Sequence, residues 1–113
     1  MPVIHSKDLP RVTLREGISG AFVHSDQLTT GYITLEPGAH LPSHAHPHEQ
    51  WSHLIEGELE FVLDGESFHL TSGMSVYIPS EAIHSATAIT RCKVIDTFCP
   101  VREDYRVLSP NLG

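Results

Sequence analysis

The chain has 113 residues, with 7 basic and 14 acidic side chains and a formal net charge of −7. A chain of this length predicts a single domain, residues 1–113, with a modest hydrophobic core. The excess of acid, without a basic stripe, argues against nucleic acid as a partner, because phosphate groups would be repelled.

The first ten residues, MPVIHSKDLP, lack the apolar segment of a secretory signal, and no run of the sequence approaches the length of a membrane span. We therefore expect a cytoplasmic protein that does not contact a membrane.

Short segments of alternating apolar and polar residues, separated by turn-forming residues, predict strands along the sequence. In chain order they are residues 20–25, 29–37, 50–55, 58–63, 66–70, 74–79 and 91–98. Asp64-Gly65 predicts a type I′ hairpin turn, since both of its central residues take a positive φ. No segment of a dozen residues has a clean helical period. The sequence therefore predicts an all-β, antiparallel sandwich or barrel.

The segment SHAHPHEQW, residues 43–51, places three histidines at alternate positions, His44, His46 and His48. In a strand, residues i and i+2 point to the same face, so His44 and His46 can converge on one metal ion. Pro47 turns the chain, so we expect His48 off the site or at its rim. Without a metal, the segment would be a solvated histidine-rich loop.

A further ligand has to come from elsewhere, and His84 follows a predicted strand and a proline turn. Gln50 opens the strand after the histidine row. Its amide oxygen is either a neutral ligand, which would leave a divalent ion at +2, or a hydrogen-bond partner of its neighbours.

The spacing of these residues resembles the two motifs of the cupins. The first motif has its counterparts at Gly38, His44, His46, Gln50 and Gly57, and the second at Gly73, Pro79, Glu81, His84 and Ala88. Gln50 stands where the motif has an acid, while Glu81 and Ala88 replace Gly and Asn and are expected to change only turn shape. The resemblance implies a cupin barrel, also called a double-stranded β-helix or jelly roll, that forms a homodimer. It further implies one divalent transition metal (Zn, Ni, Fe, Mn or Co) held by His44, His46, Gln50 and His84.

The last predicted strand carries an acid among apolar residues. Alternation places Cys92, Val94, Asp96 and Phe98 on one face. Burying an unpaired carboxylate costs free energy. Asp96 is therefore expected either to have a partner, such as Arg102 or a backbone N–H, or to act as a general acid or base.

Cys92 and Cys99 lie about 23 Å apart in an extended strand, at about 3.3 Å per residue. This is beyond disulfide reach, so both are expected to be buried thiols.

Arg102 follows the proline that ends this strand. It is expected either to clamp a substrate carboxylate or to pair with Glu103 or Asp104 at the surface.

The tail Asp-x-Phe-x-Pro-x-Arg-Glu-Asp-Tyr, after the His-Pro-His-Glu-Gln segment, resembles the small cupins of pectin and alginate breakdown (KdgF-type). Those proteins convert 4,5-unsaturated monouronates to linear keto forms. The resemblance implies that Asp96 is the catalytic acid and base, and that Phe98 and Arg102 line the site of a small anionic, sugar-derived substrate. Two alternatives stay open: an Fe(II)-dependent cupin dioxygenase, and a non-catalytic cupin that binds a sugar or effector.

Overall fold

The computed structural model describes residues 3–108, which form ten strands, a short 3-10 helix and an α-helix. The strands are β1 (Val12–Arg15), β2 (Ile18–His24), β3 (Thr29–Leu35), β4 (His40–His44), β5 (Glu49–Glu56), β6 (Glu58–Leu63), β7 (Glu66–Thr71), β8 (Ser75–Ile78), β9 (His84–Ala88) and β10 (Cys92–Cys99). The 3-10 helix covers Ser6–Asp8, and α1 covers Glu103–Leu108. Within residues 3–108 no helix has the length and apolar character needed to cross a membrane.

The strands form two antiparallel sheets. One has six strands in the order β1-β2-β3-β10-β5-β8, and the other has four in the order β4-β9-β6-β7. Strands that are neighbours in a sheet are often distant in sequence, as are β10 and its two partners β3 and β5. This is the jelly-roll arrangement of an all-β cupin barrel, as the sequence predicted.

The hydrophobic core lies between the sheets. The six-stranded sheet contributes Phe22, Leu54 and Val94 to one buried cluster, and the four-stranded sheet contributes Phe61 and Leu70. Side chains alternate between the two faces of each strand, so buried and partly buried residues alternate along β3. Apolar side chains from both inner faces therefore exclude water from the middle of the sandwich.

The predicted hairpin is confirmed, because Asp64 and Gly65 both have positive φ, 49° and 83°, between β6 and β7. The seven predicted strands are present, with ends that shift by a few residues. Three further strands, β1, β4 and β9, were not assigned from the sequence. Of these, β4 is short, contains Pro42 and has no fully buried residue, so no alternation marks it.

The predicted alternation of β10 is also confirmed. Cys92, Val94 and Phe98 are buried and face inward, whereas Lys93 is exposed. Both cysteines are free thiols. Cys92 is buried as expected, but Cys99 is only partly buried, since it ends the strand and alternation turns it away from the core.

Candidate metal centre

Three histidines from two distant parts of the chain meet at one end of the sandwich. His44 ends β4 and His84 begins β9, and the two are direct partners across these antiparallel strands, with ring centroids 4.1 Å apart. His46 lies in the loop after β4. One nitrogen from each ring lies within 4.8 Å of the others. The three histidines predicted as ligands are therefore brought together, while His48 is outside the cluster, as expected.

Each of these rings is oriented by its own backbone. Nδ1 of His44, His46 and His84 lies 2.9 Å from the carbonyl oxygen of Pro42, His48 and Ala82, respectively. A carbonyl oxygen only accepts, so each Nδ1 must donate, and in a neutral ring the lone pair is then on Nε2. Metal-binding histidines are fixed in this way, through the ring N–H that does not face the ion.

Gln50 places an amide oxygen beside the histidine cluster. Its Oε1 lies 3.0 Å from His46 Nε2 in the buried interior. When His46 is neutral, both atoms present lone pairs, and this contact is repulsive unless a proton or a cation lies between them. Three imidazole nitrogens and one amide oxygen suit a divalent transition metal, so the residues present fit such an ion.

The electrostatics favour the neutral form of His46 and His84. Burial lowers the pKa of His84 to about 4, and the nearby His44 and His46 add to this effect. Burial also lowers the pKa of His46. Neutral imidazoles can ligate a metal without first losing a proton.

The loop between β8 and β9 is tied to the loop that carries His46. The N–H of Glu81 donates to the carbonyl of His46 at 2.8 Å. Glu81 has φ of 66°, in the left-handed region that favours glycine. This explains the glycine of the cupin motif at this position, and shows that Glu81 adopts the same turn at a conformational cost.

A cavity of about 410 Å³ opens next to the histidine cluster. Its wall is formed by His44, Gln50, Phe61, His84 and Asp96 among others. Arg15, Arg102 and Tyr105 also line it. Two of the three clustered histidines, Gln50 and Asp96 therefore face the same space.

Asp96 is partly buried in this wall and is held by a serine. Ser52 Oγ donates to Asp96 Oδ1 at 2.6 Å, and the two residues are direct partners across β5 and β10. Burial raises the pKa of Asp96 to about 6, although the hydrogen bonds from Ser52 and Gln50 and the charge of Arg102 act the other way. A carboxyl with this pKa is present in both protonation states near neutral pH, which suits a general acid and base.

Arg102 is paired with Asp104 and not with Asp96. Its Nε and Nη2 donate to the two Asp104 carboxylate oxygens at 2.9 and 2.7 Å. Its guanidinium also stacks 4.0 Å from the ring centroid of Tyr105. The local pairing considered from the sequence is thus the one formed, and Arg102 nevertheless lines the cavity.

Phe98, which the resemblance implies lines the substrate site, lies against two residues of the site, and its contact with a substrate stays a prediction. It is 3% exposed and packs beneath the Arg102 guanidinium and against the His46 ring. It is absent from the lining of the cavity. Phe98 therefore supports two site residues from behind, because the strand alternation that turns it inward also buries it in the core.

Ser52 was not singled out from the sequence, although a signal was present. It lies two residues after Gln50 in β5, so alternation places both on the inner face. A small polar residue on a buried strand face needs a partner, and here that partner is Asp96. Arg15 and Tyr105 were also missed, since no local pattern connects β1 or α1 with the metal site.

Residues 31–98 match the Cupin domain family, which is more than half of the chain. The chain belongs to the cupins. Two solved structures cover nearly all of it. An RmlC-like cupin from Shewanella frigidimarina NCIMB 400 has 31% identity and a TM-score of 0.86, covering 90% of this chain and 93% of that one. KdgF from Halomonas sp. has 27% identity and a TM-score of 0.84, covering 88% and 93%.

More distant cupins share the fold alone. The polyketide cyclase RemF from Streptomyces resistomycificus has 18% identity and a TM-score of 0.79, covering 88% of this chain and 79% of that one.

A curated relative, polyketide synthase CurC from Streptomyces cyaneus, is 36% identical over 55 residues, which is 48% of this chain. The match spans only 36% of that relative's length.

Proposed function

We propose that this cupin is a metal-dependent isomerase that converts 4,5-unsaturated monouronates, the products of pectin or alginate lyases, to linear keto forms. One observation carries the proposal: Asp96 shares a cavity with His44, Gln50 and His84, and Ser52 connects it with Gln50. The similarity to KdgF at 27% identity, over 88% of the chain, supports it. The sequence of the tail from Asp96 to Tyr105 supports it as well.

The reaction consists of a ring opening, in which one C–O bond breaks, and an enol-to-keto shift, in which protons are moved. The ring opens when the bond between C1 and the ring oxygen breaks, the C1 hydroxyl loses its proton, and the ring oxygen becomes an enol hydroxyl. The enol then loses its O–H proton while C4 gains a proton, so no atom is added or removed overall. A bound divalent ion would supply a positive charge that binds and polarises the substrate oxygens.

Asp96 is the group placed to move these protons. Its Oδ1 is held by Ser52, and its carboxyl lies in the cavity wall, where it can take a proton from the enol and deliver one to C4. Arg15 and Arg102 line the cavity and are the cations available to a substrate carboxylate, and Arg102 is held in place there by its pair with Asp104. The cavity, at about 410 Å³, has the size of a small-molecule site.

The non-catalytic alternative is less well supported by this geometry. The non-catalytic alternative predicts that Asp96 pairs only with Arg102, because that ion pair would explain why an acid is buried there. Arg102 pairs instead with Asp104, and Asp96 accepts from a neutral serine. The dioxygenase alternative has support from the fold alone, because salicylate 1,2-dioxygenase from Pseudoaminobacter salicylatoxidans has 18% identity and a TM-score of 0.74.

An absorbance time course tests the proposal. Fresh unsaturated monouronate, made with a lyase and its hydrolase, loses its double-bond absorbance as it ketonises. We expect metal-loaded protein to accelerate this decay. The Asp96→Asn substitution should reduce the rate due to the protein by at least about 100-fold relative to wild type. Asp26→Asn, an exposed acid on the loop after β2, is the matched control and keeps full activity. Decay no faster than in buffer removes the proposal, and oxygen uptake with Fe(II) then tests the dioxygenase.

We also propose that two copies associate through the outer face of β5 and β8. Trp51, Ile55 and Tyr77 are 45, 47 and 39% exposed there, and the Trp51 and Tyr77 rings lie 5.2 Å apart. Apolar groups of this size on one surface indicate an interface. Glu49 lies at one end of this face, and at the other end Glu56 pairs with Lys93 of the neighbouring strand β10. A twofold axis through the face would bury the aromatic pair of one copy against that of its partner.

A further inference from the structure

Ser52 links a metal donor with the acid of the cavity wall. It is 5% exposed, and its Oγ lies 2.8 Å from Gln50 Nε2 and 2.6 Å from Asp96 Oδ1. Gln50 and Ser52 share the inner face of β5, and Ser52 is the direct cross-strand partner of Asp96. One hydroxyl therefore accepts from the amide and donates to the carboxyl.

The orientation of the Gln50 amide depends on this contact. An amide has one end that can ligate a cation, the oxygen, and one that cannot, the NH₂ group. With Nε2 donating to Ser52, Oε1 is directed at His46 Nε2 and the histidine cluster. Without the Ser52 hydroxyl, the NH₂ group would lose this acceptor and keep only its contact with the Asp96 carboxyl. It could then turn and donate to the lone pair of neutral His46, which would take the oxygen away from the metal position.

We propose that Ser52 is a positioning residue that holds the Gln50 amide in its metal-ligating orientation and fixes the Asp96 carboxyl with the same hydroxyl. This inference rests on the metal site of the proposed function, but not on its reaction. It can therefore be tested without any sugar substrate.

The test measures the affinity of metal-freed protein for Zn²⁺ by chelator competition, with Co²⁺ absorption as a second reading of the donor set. Ser52→Ala removes one oxygen atom and leaves the packing nearly unchanged. We expect it to weaken Zn²⁺ binding by about 10-fold to 100-fold, the usual effect of losing a group that orients a metal ligand. The Co²⁺ spectrum should then shift toward that of Gln50→Ala.

A double-variant cycle separates positioning from a general loss of structure. If Ser52 acts through Gln50, Ser52→Ala should add little to the loss already caused by Gln50→Ala. Ser52→Thr, which keeps the hydroxyl beside the cavity, should restore most of the affinity. Ser75→Ala is the control, since Ser75 bonds His53 at 2.6 Å on the outer side of β8 and lies off the cavity lining.

Two results overturn the proposal: wild-type Zn²⁺ affinity in Ser52→Ala, or losses that add fully in the double variant. Thermal unfolding of the metal-free variants identifies any that fail to fold, and Ser52→Thr then provides the comparison. Failure of the uronate assay with an intact Ser52 effect would remove the reaction and leave this inference standing.

Discussion

His44 and His84 face each other directly across β4 and β9, so the register of these two strands sets the distance between two of the metal donors. The third, His46, follows His44 on the loop. Because the donors come from two distant segments of the chain, the site exists only once β4 and β9 have paired.

Substitution of a clustered histidine and of His48 should therefore differ in effect on metal binding. His84→Ala removes a donor and should weaken Zn²⁺ binding at least about 100-fold. His48→Ala is the matched control, since His48 contributes its backbone carbonyl to His46 and its ring stays outside the cluster. Chelator competition on the three proteins measures this. Equal losses in the two variants would show that His48 contributes to metal binding as much as His84 does, which contradicts the assigned donor set.

Gln50→Glu should tighten metal binding. The neutral amide leaves a divalent ion with its full charge, whereas a carboxylate would neutralise half of it. We expect at least about 10-fold higher Zn²⁺ affinity at pH 8, where the introduced acid is ionised, and a smaller gain at pH 5. Chelator competition at the two pH values provides the measurement. Unchanged affinity at both would mean that Gln50 does not ligate the ion.

The sequence predicted most of this fold because its signals are local. Alternation and turns such as Asp64-Gly65 mark the strands of the sandwich wherever one face is buried. Motif spacing alone was enough to group the three histidines and Gln50 as candidate metal ligands. In contrast, β4 could not be assigned, because its strand character comes from pairing with β9 rather than from its own pattern of burial.

The contacts around Asp96 could not be predicted from the sequence. Its bond with Ser52 depends on the register of β5 against β10, which no local pattern sets. Arg102 illustrates the opposite case, since its acceptor Asp104 is only two residues away and was among the partners considered. Sequence reasoning thus identified the chemically important groups, while the cross-strand register decided which of them meet.

Burial of Asp96 should cost the metal-free protein stability at neutral pH. Burial raises its pKa from 3.8 to about 6, so the folded state binds this proton more tightly than the unfolded state does. The cost is absent below about pH 4, grows as pH rises, and is complete above about pH 6. At about 1.4 kcal/mol per pKa unit, it amounts to about 3 kcal/mol.

Asp96→Asn, which keeps an acceptor for Ser52, should therefore be more stable than wild type at pH 8 by up to about 3 kcal/mol, and equal to it near pH 4. Thermal or urea unfolding in the presence of a chelator measures the difference across this range. Asp26→Asn should show no such pH dependence. A constant difference between Asp96→Asn and wild type at all pH values would contradict the assignment of the cost to this carboxyl.

Trp51→Glu should prevent the proposed association of two copies. The Trp51 ring stacks on His53 at 6.1 Å between centroids and stays 45% exposed in the single chain, so burying it would contribute strongly to an interface. Light scattering after size exclusion should give the mass of a dimer for wild type and of a monomer for Trp51→Glu. Ile89→Glu changes a similarly exposed apolar residue after β9 and should stay dimeric. A monomeric wild type, or a Trp51→Glu dimer of unchanged stability, would show that this face is not the interface.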